Sequence, residues 1–546
     1  MKYIFLLISL FTFNFLQAQV TGVVKDAAGE PIPGANVFWM NTTNGVTTNE
    51  DGNFSIHKPA RSHMLVVSFI GFENDTIHVD KGNQQLDIVL REGVELSEVN
   101  VVTRKLGTMK LRTSVMNEDM ISSAELTRAA CCNLGESFVT NPSVDVSYSD
   151  AATGAKQIKL LGLSGTYVQM MTENIPNFRG AAAPYGLGYV PGPWMQSIQV
   201  SKGSSSVKNG YESITGQINV EFKKPQLPEA DWVSANLFAS STNRYEANAD
   251  ATVKLSKRWS TSLLAHYENE TKSHDSNDDG FVDIPRVEQY NVWNRWAYMG
   301  DHYVFQAGIK ALHETRNSGQ IAHGNTPSHD LYEIGIKTNR YEAFTKNAYI
   351  FDKEKNTNLA LILQGTLHNQ DANYGRKLYD VDQSNFYASL LFETELSKQH
   401  SLSAGLSFNY DGYDQNYRLT NQAEEGLTKK FVKESVPGAY VQYTFNLNDQ
   451  LMLMGGIRGD YSSEYGFFVT PRAHVKYNPN EYLHFRLSAG KGYRTNHVLA
   501  ENNYLLASSR KMKIASHLDQ EEAWNYGASV STYIPLFGKT LNVNAE

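Results

Sequence analysis

The stretch Asp275-Ser-Asn-Asp-Asp-Gly-Phe-Val-Asp283 sets oxygen-bearing side chains at alternate positions ahead of a glycine. Asp275, Asn277 and Asp279 followed by Gly280 match the first half of an EF-hand calcium loop. In such a loop the glycine permits a sharp turn and the next ligand is a backbone carbonyl. Phe281 would offer that carbonyl, and Asp283 stands at the ninth position. The twelfth position is Arg286 instead of a bidentate Glu, which excludes a complete EF-hand. The stretch reads either as a calcium site that orders an outer loop or as an acidic, solvated loop tip. No pattern in the chain requires a cofactor.

The only cysteines are adjacent, Cys131-Cys132, on a helix expected from Ser123 to Phe138. A bridge between chain neighbours needs a strained ring, so an ordinary structural disulfide is disfavoured. Their thiolates, with the thioethers of Met170, Met171 and Met195 nearby in sequence, would suit Cu(I); as small buried residues they would simply fill a core. Both readings stand. His274, His313, His323, His329, His368 and His497 fall in or near polar segments, where they would grip a haem or metal chelate or be solvated. Ser, His and Asp show no nucleophile–base spacing, and there is no phosphate loop or zinc motif, so nothing supports an enzyme.

These residues must be positioned by a β-rich chain. The 546 residues exceed one ordinary core, carry a net charge of −8 without a basic block, and include 30 Tyr. That balance offers nothing to nucleic acid. Met1-Lys2, an apolar run from Tyr3 to Leu16 and the small residue Ala18 describe a secretory signal peptide over 1–18. Beyond it no apolar run approaches the ~20 residues of a membrane helix. From about Asp231 the chain alternates instead. Trp259, Thr261, Leu263, Ala265 and Tyr267 interleave with Ser260, Ser262, Leu264, His266 and Glu268, and similar runs cover 439–447 and 483–490. A period of two over about ten residues is the lipid-out, water-in pattern of a membrane β-barrel.

The connections support this more strongly. Short turns at 299–302, 352–355, 397–400, 447–450 and 478–480 alternate with long polar segments at 271–289, 315–337, 370–384, 411–435 and 494–520, with a brief exception near 462–464. Tight turns on one side and long loops on the other describe a barrel. Roughly fifteen strands can be counted, against about 22 in plugged transporters. The chain also stops inside a strand at Ala545-Glu546, so a barrel lacking part of its wall is expected.

Ahead of the strands, Asn141-Pro-Ser-Val-Asp-Val146, Gln157-Ile-Lys-Leu-Leu-Gly-Leu-Ser-Gly165, Tyr167-Val-Gln-Met-Met-Thr-Glu-Asn-Ile-Pro176 and Ser197 to Val220 are short apolar strands cut by Gly, Ser, Asn and Pro. In this order they resemble the plug domain of the TonB-dependent outer-membrane receptors. Two positions depart from that pattern: Glu173-Asn-Ile-Pro176 replaces an Asp-Gly-Val-Pro segment, and Gly216-Gln217 replaces Gly-Gly. Residues 19–92, with strands near Val20, Pro33, Gly52 and Met64 and the turn-rich Gly29-Glu-Pro-Ile-Pro-Gly34, resemble the carboxypeptidase regulatory-like β-sandwich that precedes such plugs. The expected order is thus signal peptide 1–18, sandwich 19–92, linker 93–112, mixed α/β plug 113–227 and antiparallel transmembrane β-barrel 228–546.

The resemblance implies active import across the outer membrane, with lipid around the barrel and the N-terminal domain in the periplasm. It makes Glu98-Val99-Asn100-Val101-Val102-Thr103 the box on which the TonB–ExbB–ExbD energy-coupling complex pulls, by strand addition to an exposed edge. The same segment reads alternatively as a strand completing the sandwich. It places ligand contacts at the plug apex, at Asn177, Phe178, Arg179 and Tyr185, where Arg179 would meet an anionic ligand or bridge plug to barrel. The expected ligand is a metal complex, an iron siderophore or haem first, copper or cobalamin second. Glycan-importing relatives rank lower, being much longer. The rival class is a surface binding or adhesion protein that moves nothing.

Overall fold

A computed structural model describes residues 19–90, except 27–28, 40–44, 50, 59–62, 70–74 and 80–84. It also describes residues 108–546, except 112–113, 130–131, 227–231, 322–330, 423–425, 449, 481, 516 and 537–538. The signal peptide, the Glu98–Thr103 box, Cys131, His323 and His329 lie outside the described residues. The chain divides into two compact units, Met1–Lys105 and Leu106–Glu546.

In the first unit alternation places every second residue inside: Val20 and Val24 of Gln19–Lys25, Phe54 and Ile56 of Asn53–His57. Gln19–Lys25 pairs antiparallel with Asn53–His57 and parallel with Gln85–Val89. A second sheet runs Gly45–Thr47, Asn36–Trp39, Met64–Ser68, Asp75–His78. Their facing apolar sides form one core around the fully buried Trp39. The Trp39 indole N–H donates to the His57 carbonyl at 2.9 Å, so the large ring enters the core without an unpaired donor. Trp39→Phe should cost about 1–2 kcal/mol and lower this unit's melting midpoint by roughly 5–10 °C, read by calorimetry.

The second unit is built of a globule and a large sheet. The globule's mixed sheet runs Ile175–Pro176, Val168–Thr172, Gly216–Phe222, Met195–Lys202, Glu118–Ser122, Thr108–Lys110, with Val168–Thr172 parallel to Gly216–Phe222. Gly216 has φ +153, and a Cβ there would lie 2.3 Å from the Ser201 carbonyl oxygen, so the strand can begin only with glycine. The single helix expected over 123–138 is two pieces, an α-helix at Ser123–Arg128 and a 3-10 turn at Leu134–Phe138. The break follows from Asn133, whose extended backbone and side-chain oxygen, accepting from the Glu136 N–H, start a new helix.

The large sheet contains fifteen strands, each antiparallel to the next, with Val233–Ala239 and Lys539–Ala545 at its two edges. Its sidedness inverts that of a soluble protein. Along Trp259–Glu270 the polar Ser260, Ser262, His266 and Glu268 are buried while Trp259 and Leu263 are exposed. Leu367, Leu406, Ile457 and Leu487 are likewise exposed, and Arg295, Lys310, Arg340 and Arg486 buried. An apolar outside over a charged inside is the face pattern of a lipid-facing barrel wall. The expected short turns are present, for example 300–302 and 398–399. Two of the long polar segments are mostly strand. In 370–384 strands run to Tyr374 and restart at Lys377, and in 411–435 they run to Arg418 and restart at Thr428, leaving a shorter connection over 419–427. Lys377–Ser397 has 21 residues, about twice the 9–11 that cross a bilayer, so its polar end projects beyond the lipid instead of coiling.

Candidate functional site

The globule sits within the curve of the sheet as a plug. Hydrogen bonds reach it from strands all along the sheet: Arg244 to Glu136 at 3.1 Å, Arg295 to the Lys223 carbonyl at 2.7 Å, Arg472 to the Ser206 carbonyl at 3.0 Å and Asn525 to the Ile214 carbonyl at 3.2 Å. Strand side chains that would face water in an open pore are spent on the plug.

The hairpin after Val168–Thr172 turns at Glu173 and Asn174, both with positive φ, 51° and 61°. Two left-handed residues between paired strands make the mirror-image turn that suits strand twist, normally built from Asn-Gly or Asp-Gly. Glu173 accepts the backbone cost of that position and carries its carboxylate to the barrel wall, where it meets Arg295 Nη2 at 2.5 Å and Lys346 Nζ at 3.8 Å. Lys346 also donates to the Glu173 carbonyl at 2.7 Å. The Asp-Gly departure noted in the sequence is therefore a charged plug-to-wall contact.

Of the four apical residues Asn177, Phe178 and Tyr185 are buried and Arg179 is half-buried, and all are engaged. Asn177 donates to Glu342 at 2.9 Å and Thr172 at 3.0 Å. Phe178, at φ +55°, lies with its ring 5.7 Å from the Arg340 guanidinium. Arg179 pairs with Glu212 of the plug and, at 3.2 Å, with Asp411 of the wall, so it bridges plug to barrel. Tyr185 lies under the Arg316 guanidinium, 5.1 Å from its ring, and burial pushes its phenol up to about 12.

Tyr185 and the Gly180–Ala182 turn beside it are covered by the segment between Arg494 and Glu521. It descends as a short helix, Val498–Glu501, and a 3-10 turn, Asn503–Ala507, burying Leu499, Ala500, Asn503 and Leu506 in the core shared by plug and wall. The Tyr185 and Tyr374 hydroxyls donate to Asn503 Oδ1 at 3.3 and 3.0 Å. Tyr332 donates to the Ala507 carbonyl at 2.9 Å, and Lys377 Nζ reaches the carbonyls of Leu506, Ser508 and Arg510 at 3.2, 2.5 and 3.2 Å. Reading this stretch as an outer loop missed the cover; the signal was there in Val498-Leu-Ala500 and Tyr504-Leu-Leu506, too apolar for a solvated loop.

The metal candidates are arranged differently from one another. In 275–283 the Asp275 carboxylate accepts from the Asp279 and Gly280 N–H groups at 3.1 and 2.9 Å, Asp283 accepts from Ser276 at 2.7 Å, and Asn277 donates to Asp279 at 3.0 Å. Among the described residues no group of three or more His, Cys, Asp or Glu is placed to hold a metal ion. Calcium here would have to draw these side chains together. Cys132 is buried, and its thiol is pushed up by desolvation and the carboxylates of Glu246 and Glu136, which disfavours the thiolate a metal needs. Met170 and Met171 are consecutive strand residues facing opposite sides of the sheet. Met195 starts the strand beyond Gly216–Phe222, so the three thioethers share no common face. His274 and His313 are bonded to Thr242 and Asn339, His368 is buried against Tyr189, and His497 packs on Tyr413 with ring centres 4.5 Å apart.

Three family models match successive parts of the chain: a CarboxypepD_reg-like domain over 20–102, a TonB-dependent receptor plug domain over 110–217 and a TonB-dependent receptor-like β-barrel over 313–546. Among individual proteins the chain is similar to the TonB-dependent receptor SusC of Bacteroides thetaiotaomicron, 28% identical over 245 residues. That match covers 42% of this chain and 24% of SusC. The TonB-dependent receptor P39 of Formosa agariphila is 39% identical over 100 residues, 18% of this chain and 10% of that one. The chain thus matches only a quarter or less of the length of these relatives. Its fold is shared with the pyoverdine-bound FpvA of Pseudomonas aeruginosa (TM-score 0.62, 14% identity, 84% of this chain and 67% of that one). It is shared too with the alcaligin receptor FauA of Bordetella pertussis (0.61, 13%, 82% and 74%) and the copper transporter OprC (0.61, 11%, 79% and 71%).

Proposed function

We propose that this chain, which belongs to the TonB-dependent receptor family and so to the outer membrane, actively imports a metal complex, with an iron siderophore or haem first and copper or cobalamin second. The observation that carries the reading is the charged seat of the plug: Glu173 on Arg295, Arg179 on Asp411 and Asn177 on Glu342 hold a globule inside a wall that could not be left open. A protein that only bound or adhered would need no removable stopper. Fixed contacts of this kind must be broken by work, which fits force applied through the Glu98–Thr103 box by the TonB–ExbB–ExbD complex. The siderophore receptors and the copper transporter that share the fold support a metal-complex ligand.

The test is growth of a deletion strain on limiting iron, copper or cobalamin, complemented by the intact gene or by one lacking Glu98–Thr103. Growth restored by the first and not by the second is expected, with binding to purified receptor unchanged. Equal rescue by both would leave a binding protein and not a transporter.

A further inference from the structure

The cover over the plug apex makes polar contacts that a bound ligand would also make. Its Asn503 side chain and its Ala507, Leu506, Ser508 and Arg510 carbonyls are all acceptors, and the groups facing them are all donors: the Tyr185, Tyr374 and Tyr332 hydroxyls and the Lys377 ammonium. Asn503 is fully buried, and Leu499 and Leu506 anchor it among apolar residues of plug and wall. A loop that merely capped the barrel mouth would have no reason to carry its carbonyl oxygens down onto a lysine and three tyrosines.

We propose that residues 498–510 occupy the ligand's own seat as an internal competitor, and that the ligand which displaces them is an anion presenting several oxygen acceptors to Lys377, Tyr185, Tyr332 and Tyr374. The assignment rests on the import reading for what the seat serves, and its ligand class narrows that reading to complexes with exposed anionic oxygens. The cover gives Lys377 three neutral carbonyls, which a neutral oxygen-rich molecule would only match. An anion adds the counter-charge that the closed arrangement lacks and so has the advantage needed to displace the cover. Because only the uncovered fraction binds, apparent affinity is the intrinsic affinity scaled by that fraction. Weakening the cover alone must therefore tighten binding.

Hydrogen exchange on the purified full-length receptor reads the cover directly, with ferric citrate as the anionic probe and maltohexaose as the neutral one. In the parent, amides of 498–508 should exchange more slowly than those of 419–422, and ferric citrate should speed them. Asn503→Ala and Leu506→Ala, which alter the cover and none of the four donors, should each speed exchange without ligand and lower the ferric citrate Kd about tenfold, as a tenfold larger open fraction requires. Weaker or unchanged ferric citrate binding in both variants overturns the competitor assignment, as does a parent segment that neither probe loosens. Loosening by maltohexaose and not by ferric citrate overturns the ligand class. None of these readouts involves energy coupling, so failure of the import reading would show separately, in the growth of the Glu98–Thr103 deletion.

Discussion

Cells carrying Glu173→Ala should admit vancomycin and other large antibiotics that the parent excludes, and the purified variant should pass current in planar bilayers where the parent is closed. Arg295 is 2% exposed, and Glu173 is the carboxylate facing it at 2.5 Å. Its other contacts, the Lys223 carbonyl and the Trp293 ring at 4.6 Å, orient the guanidinium without neutralising it. Removing one partner of a buried pair costs about 3–5 kcal/mol, since the remaining charge has lost its compensation and cannot regain water. The tip of the plug is where that cost is relieved, by leaving the wall and letting water reach Arg295. Glu173→Gly should be milder by about 1–2 kcal/mol, because glycine takes the left-handed turn without the steric cost that any side chain bears there. Glu173→Ala combined with Arg295→Met should recover much of the closure, as both charges are then gone. Equal conductance in parent and Glu173→Ala, with the barrel shown folded by its gel mobility, would mean the pair does not hold the plug.

The architecture could be read from the chain because a membrane barrel writes its sidedness residue by residue. Trp259 and Leu263 alternate with Ser260 and Ser262, and in lipid only one assignment of those faces is affordable. Strand ends were less readable: polar residues at 370–384 signal departure from lipid, which loops and protruding strands share, and only pairing of Tyr374 with Lys377 distinguishes them. The site was readable to the level of segments. The apex around Asn177–Tyr185 came from the plug resemblance that the ordered motifs carry, but what these residues touch depends on Glu342, Arg340, Asp411 and Asn503, more than a hundred residues away, and no local pattern encodes such partners. Arg179 shows this well. From sequence it served equally as ligand contact or bridge, and only Asp411 across the interface makes it a bridge. Glu173 was noticed as a departure from Asp-Gly, and its wall contact explains why a residue poorly suited to the turn stands there.

Acidification from pH 7 to pH 5 should leave the apparent affinity for ferric citrate nearly unchanged in the parent, yet shift it strongly and in opposite directions in two variants. Burial pushes the Glu501 carboxyl up to about 7 against the pull of Arg494, with Glu521 and Glu212 adding to the rise. Burial pushes the His497 imidazole down to about 4, helped by Arg179 and Arg494 and opposed by Asp411, with the Tyr413 ring packed at a tilt against it. When the cover lifts, both return toward their ordinary values near 4.5 and 6.5. Between those values the closed form carries its proton on Glu501 and the open form carries one on His497. The two forms hold equal numbers of protons, and opening becomes almost independent of pH. With His497→Asn only Glu501 titrates, the closed form binds the extra proton, and acidification to pH 5 should weaken binding by about 40-fold. With Glu501→Gln only His497 titrates, the open form binds the extra proton, and the same acidification should tighten binding by up to about 20-fold, less where solvent at the edge of the imidazole trims its shift. Arg494 keeps Glu521 at 2.9 Å in that variant, so no orphaned guanidinium confuses the result. Titration calorimetry at both pH values decides it: slopes of the same sign in the two variants would show that the cover's opening does not expose these side chains, and would detach the pH-flat behaviour of the parent from any balance between them.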